Sequence, residues 1–186
     1  TVLELTCKHT AEGLAEATRT ANLVEDGRWI SVYLEGVELP FIGQIDVESG
    51  AVVEIKTRWP TLTTRAKRGW QINSLPAKPD PNHIAQVALY WRWLRQQSEN
   101  VPVQLVYANC KGYRVFDSST CDELAPSSLE AALDRLRAIA RTRESLMKAA
   151  ATTEELFSMV PPDFAHFMWS DCPPEYMAVA KQQWGL

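Results

Sequence analysis

At 186 residues, with 46% hydrophobic and 23% charged residues, the chain has the composition of one ordinary globular core, which excludes a wholly disordered chain. No apolar run approaches the length of a membrane span, and a net charge of −4 gives no global basic signature for nucleic acid, although a sum says nothing about local fields. Cys7, Cys110, Cys121 and Cys172 are scattered without a C-x-x-C pair, which argues against a zinc ribbon or a compact disulfide framework.

The opening residues Thr1 to Leu5 lack the basic start and apolar core of a secretory signal, so a cytoplasmic setting is expected, in the host cell if the gene is viral. Residues 9 to 24 are predicted helical, with Thr10 as N-cap and an end near Asp26-Gly27. From Trp29 to Leu34, β-branched and aromatic residues predict a strand closed by a turn at Glu35-Gly36. Leu39 to Val47 and Ala51 to Thr57 complete an antiparallel meander. Residues 58 to 79 form a long connection of little periodicity carrying Arg58, Arg65, Lys67, Arg68, Lys78, Trp59 and Trp70, and loops of that length are usually functional or disordered.

Asp80-Pro81 supplies an N-cap with proline at the first helical position, opening a helix to about Gln97 whose inward face includes Val87, Tyr90 and Leu94. Val101 to Ala108 and Tyr113 to Phe116 are predicted strands joined by a tight turn at Lys111-Gly112. Ser127 and Glu130 have the spacing of a capping box before a helix with an apolar stripe at Leu129, Leu133, Leu136, Ala140 and Met147. The expectation is one domain over 1–186, with 152–186 as a C-terminal extension of unassigned role. Its fold class is α/β, a central mixed sheet containing the meander and flanked by helices.

The chemistry concentrates in Gly43-Gln44-Ile45-Asp46, a short turn, then Glu54-Ile55-Lys56. Side chains alternate along a strand, so Glu54 and Lys56 share one face while Val53 and Ile55 take the other. With Glu48-Ser49-Gly50 as a three-residue loop and Gly50 in the left-handed position, Asp46 is expected opposite Val52 and diagonal to Glu54. Two carboxylates at a diagonal separation of roughly 7 Å can grip one cation, and hard oxygen ligands suit magnesium. Such an ion polarises a phosphodiester and acidifies bound water, while Lys56 orients that water or neutralises charge developing on phosphate.

Asp46, a short hairpin and Glu54-x-Lys56 together resemble the PD-(D/E)XK nuclease superfamily, with Ile45 where that motif has proline. Gln86-x-x-x-Tyr90, four apart on one helical face, resembles the Q-x-x-x-Y motif of its RecB-like branch, which includes enzymes similar to lambda exonuclease. The resemblance implies a restriction-endonuclease-like fold and a deoxyribonuclease active in recombination, repair or phage replication, exonucleolytic first and endonucleolytic as the alternative. It implies Mg²⁺, with Mn²⁺ able to substitute, held by Asp46, Glu54 and the Ile55 carbonyl. It also implies that Gln86 and Tyr90 face the metal, steadying the lysine and contacting the DNA strand.

Members of that branch often add an acidic residue from the first helix as a further ligand. Glu16 is the choice here, with Glu12 one turn earlier as competitor. His83, one turn before Gln86, is placed to reach a phosphate or a second metal, and Arg58, Arg65, Lys67 and Arg68 are candidate DNA contacts in a salt-sensitive interface. Trp59 and Trp70 either stack on unpaired bases or simply pack. The cysteines are too dispersed for the iron–sulfur cluster some relatives carry, so none is expected. A homo-oligomer and a recombination partner protein are both left open. Two other classes stay in view: an inactive DNA-binding module on this scaffold, and a metal-dependent hydrolase of a small phosphorylated molecule.

Overall fold

The structure, a computed structural model, describes the chain apart from residues 20–24, 49, 63–69, 99, 161, 167, 168, 170, 171 and 186. It divides into two compact units, Thr1–Arg137 and Ala138–Leu186, with the boundary inside a long helix. No helix among the described residues is long and apolar enough to cross a membrane.

The first unit is α/β, a five-stranded mixed sheet flanked by helices. In chain order its main elements are α1 (Val2–Ala17), β1 (Glu25–Val32), β2 (Phe41–Glu48), β3 (Val52–Thr57), β4 (Thr61–Leu62), β5 (Trp70–Gln71), α2 (Pro81–Leu94), β6 (Val103–Asn109) and β7 (Gly112–Asp117). The helix α3 (Pro126–Ala149) starts in this unit and continues into the second. The sheet order is β1-β2-β3-β6-β7, antiparallel throughout except for the parallel β3–β6 pair. A parallel pair needs a crossover, and α2 lies on the connection between β3 and β6. The expected meander is present as β1-β2-β3. The long connection also contains a small β4–β5 hairpin that the sequence pattern did not announce, its two-residue strands being too short to show a period.

Several boundaries differ from expectation: β1 runs Glu25–Val32 where Trp29 to Leu34 was predicted, α2 ends at Leu94 rather than about Gln97, and residues 20–24 of the predicted first helix lie outside the described residues. The first helix begins at Val2, where Thr1 accepts the Glu4 N–H in a capping box, and it ends at Ala17. Thr10 lies inside that helix and donates its hydroxyl back to the Thr6 carbonyl at 2.8 Å, the usual alternative for a mid-helix threonine. Helix α3 opens at Pro126, which needs no N–H partner in a first turn; Ser127 is therefore inside the helix rather than its cap. The β2–β3 register pairs Glu48 with Val52 and Val47 with Val53, so Glu48 belongs to β2 rather than to the loop, of which Ser49 lies outside the described residues. Gly50 sits in it with φ +73°, the left-handed conformation that favours glycine.

Alternation along β3 sorts its side chains between two helices. Val53 and Ile55 pack with Val47, Val106 and Val115 under Leu14 and Ala17 of α1. Glu54 and Lys56 face the other way, toward α2. Helix α2 starts as expected, with Asp80 accepting the Asn82 N–H at 2.8 Å and Pro81 following, and it buries Ile84, Val87, Ala88, Tyr90, Trp91 and Leu94.

The second unit contains the rest of α3, α4 (Thr153–Met159) and α5 (Pro174–Gln183). Four of its aromatic residues pack on one another: Phe157 lies 4.3 Å from Trp184 between ring centroids, and Phe164 meets both Trp169 and Trp184.

Candidate active site

The α2-facing side of β3 holds one connected polar cluster. Lys56 donates to Glu54 Oε1 and, at 2.9 Å, to Gln86 Oε1. Gln86 Nε2 donates to Glu54 Oε1 at 2.7 Å and to the Tyr90 hydroxyl at 2.8 Å. Both N–H bonds of the Gln86 amide are thereby committed, to the carboxylate and the phenol, while its oxygen takes the ammonium. Four of the sequence-predicted residues, Glu54, Lys56, Gln86 and Tyr90, are thus brought together directly.

Asp46 joins them through a gap in the sheet. The Val52 N–H bonds to Pro102 O at 2.9 Å and the Arg58 N–H to Ala108 O at 2.8 Å, so the even-numbered residues of β3 bond to β6 and Ile55 turns its backbone groups toward β2. The β2–β3 ladder is registered only at Val47–Val53 and Glu48–Val52. Beyond it the Asp46 side chain takes the place of a backbone acceptor, with Oδ2 receiving the Ile55 N–H at 2.8 Å. Continuing the register sets Asp46 across from Glu54 rather than diagonal to it. The shift is by two residues, so both acids keep the same face.

Tyr90 fits because of Gly43. A Cβ on Gly43 would lie 2.7 Å from Tyr90 Cε1, so the ring rests on the bare backbone of β2.

The electrostatics are unusual at one atom. Glu54 is 1% exposed, and its Oε2 has no hydrogen-bond partner among the described residues. Burial first, and the neighbouring Asp46 second to it among the raising influences, push its carboxyl up to about 7 against the opposing pull of Lys56. Tyr90 is raised by burial and by both acids, with Gln86 opposing.

An orphaned buried carboxylate oxygen beside a second carboxylate fits a hard divalent cation, which would supply the missing partner. Among the described residues no group of three or more His, Cys, Asp or Glu is assembled for a metal. The groups that could hold one are two carboxylates and the β2-facing Ile55 carbonyl, a sparse set of the kind magnesium would complete with water and substrate phosphate.

Several expected participants stand elsewhere. Glu16, the candidate fourth ligand, is exposed on α1 and accepts the Tyr113 hydroxyl of β7 at 2.9 Å. Helix α1 covers the opposite side of the sheet from Glu54, so Glu16 is not brought to the cluster, and Glu12 on the same helix is paired with Lys8 at 3.8 Å. Arg65, Lys67 and Arg68 lie outside the described residues, as does the Trp70 side chain.

Arg58 and His83 instead line an adjoining cavity of about 510 Å³ together with Lys56, Trp59, Lys78 and Tyr107. Tyr107 was not singled out from the sequence. Its signal was available only as strand parity, since it is the β6 neighbour of Lys56.

No protein-family model matches the chain. No curated protein matches its sequence. Among solved structures, the chain is similar to a protein from Eubacterium rectale described as a "putative exonuclease", at 15% identity, covering 76% of this chain and 54% of that one, with a TM-score of 0.47. The chain thus spans about half the length of that structure, and at so loose a superposition no residue role is transferred from it.

Proposed function

We propose that the chain is a divalent-metal-dependent deoxyribonuclease of the PD-(D/E)XK superfamily, RecB-like branch, hydrolysing DNA phosphodiester bonds exonucleolytically in recombination, repair or phage replication. The observation that carries this is the buried Oε2 of Glu54, without a partner among the described residues, beside Asp46, with Lys56 tied into the same cluster. A structural ion pair has no use for an orphaned oxygen, whereas a cation site does.

Asp46, Glu54 and the Ile55 carbonyl hold the Mg²⁺, for which Mn²⁺ substitutes. When bound, the ion supplies polarisation of the phosphodiester and a more acidic water. The chain's own residues do the rest. Gln86 fixes the Lys56 ammonium at 2.9 Å, so that it is pre-positioned to orient the attacking water or offset charge developing on phosphate. Tyr90 in turn fixes Gln86, and both act as positioning residues. Arg58 and His83 lie on the cationic side of the cluster, where a polyanionic strand is attracted despite the net negative charge.

The test is a time course with Mg²⁺ on end-labelled linear DNA and on circular duplex and single-stranded DNA. Loss of linear substrates with circles spared is the expected result. Cutting of circles instead assigns internal cleavage to the same site. Degradation that persists unchanged in both Asp46→Ala and Lys56→Ala overturns the site.

A further inference from the structure

A second polar network lies beside the first. Tyr107 is 1% exposed, and its hydroxyl accepts the Asp80 N–H at 3.1 Å and meets His83 Nδ1 at 2.7 Å. An amide N–H can only donate, so it occupies a lone pair of the phenol. No other acceptor for the phenolic hydrogen is found among the described residues, and a buried phenol uses its hydrogen. The hydrogen therefore goes to His83 Nδ1, which makes Nδ1 an acceptor and puts the ring's own hydrogen on Nε2. Burial first, then Lys56, with Arg58 adding and Asp80 opposing, hold His83 below its ordinary value, which favours the neutral ring.

The cavity next to this ring is built for an anion. Lys56, Arg58 and Lys78 line it, and Trp59 adds an aromatic wall. Lys78 is engaged by Glu123 at 2.6 Å. Of the five N–H donors of Arg58, the described residues show one in use, on the Ser74 carbonyl at 3.2 Å. The Asp80 carboxylate, the acidic group in the lining, already accepts the Asn82 N–H.

We infer that this cavity is a phosphate subsite in which Arg58 and His83 Nε2–H grip a phosphate of the strand, with Tyr107 as the positioning residue that fixes the His83 tautomer. The inference rests on the nuclease reading and adds a residue and a ligand contact to it. The gripped group is either a strand terminus or an internal linkage.

The full chain is tested in Ca²⁺, to hold substrate uncut, by fluorescence anisotropy with short labelled oligonucleotides that carry or lack a terminal phosphate. Tyr107→Phe, which keeps the ring and its packing, and His83→Ala should each weaken binding about tenfold, and in Mg²⁺ should raise KM with little change in kcat. The double variant should bind no more weakly than His83→Ala alone, because Tyr107 acts through the imidazole. His83→Gln, whose amide reaches the Nε2 position, should retain most of the affinity and be indifferent to Tyr107→Phe. Imidazole ¹⁵N shifts should show the hydrogen on Nε2 in the wild type and a tautomer mixture in Tyr107→Phe.

A loss confined to phosphorylated ends assigns the cavity to a strand terminus. An equal loss on both substrates assigns it to an internal phosphate. A wild type that cuts DNA yet is unaffected by either single substitution overturns the inference alone, as does additivity in the double variant or a wild-type hydrogen on Nδ1. A wild type that neither binds nor cuts DNA overturns the nuclease reading and the subsite with it.

Discussion

Strand β3 presents two faces that obey different rules. Toward α1, Val53 is fully buried and packs with Ile55 against Val47, Val106 and Ala17, as any sheet face does under a helix. Toward α2, a glutamate is equally buried, one of its oxygens has no partner among the described residues, and its proton is held up to about 7. The first face lowers the free energy of the fold by removing apolar surface from water. The second raises it by desolvating charge. Substitutions on the two faces should therefore fail in different ways.

The largest expected effect is on catalysis. Lys56→Ala and Asp46→Ala should each lower Mg²⁺-dependent cleavage of labelled DNA by about 10³-fold or more, with stability read from urea midpoints falling only by the loss of their hydrogen bonds, about 1–3 kcal/mol. A parallel collapse of the urea midpoint would show that these residues hold the fold instead.

Next comes pH. Glu54 binds its proton more tightly folded than unfolded, so its favourable contribution is complete below pH 4.5 and disappears as pH rises through about 7. Metal-free protein should therefore lose stability across that window, by at most about 3 kcal/mol. Glu54→Gln should flatten the dependence, and Mg²⁺ at pH 8 should restore stability to the wild type and not to the variant. Urea titrations at several pH values with and without metal read all three.

On the apolar face, Val53→Ala should cost about 2 kcal/mol by the same assay, with cleavage per folded molecule unchanged. The smallest effect is expected at Gly43→Ala, where the new methyl meets the Tyr90 ring at 2.7 Å. A loss of roughly 1–2 kcal/mol should accompany reduced kcat, because Tyr90 must move off Gln86. A stability loss with kcat intact would separate Tyr90 from the cluster.

What was legible in the sequence follows the range of the interactions. Local signals served well: Asp80-Pro81 opens α2, Gly50 turns the hairpin, and Gln86 and Tyr90 share a helical face because they are four apart. Competing local signals misled, as at Thr10, since Thr1 and Glu4 offer the same helix an earlier start. Hairpin register was displaced by two residues, which left the face of Asp46 unaltered because side-chain parity repeats every two.

The position of Glu16 was not readable, because which side of the sheet a helix covers is decided by packing between distant elements. Tyr107 was hidden for the same reason: its partners at Asp80 and His83 are more than twenty positions away.

The Asp46–Ile55 contact gives the site a built-in gauge. Inside a sheet, amide hydrogens are ordinarily shielded by neighbouring backbone, but here one is shielded by an ionisable side chain. Deuterium uptake at that lone amide should accelerate whenever the carboxylate is neutralised, removed or drawn elsewhere, so the integrity of the centre can be followed with no substrate in the tube.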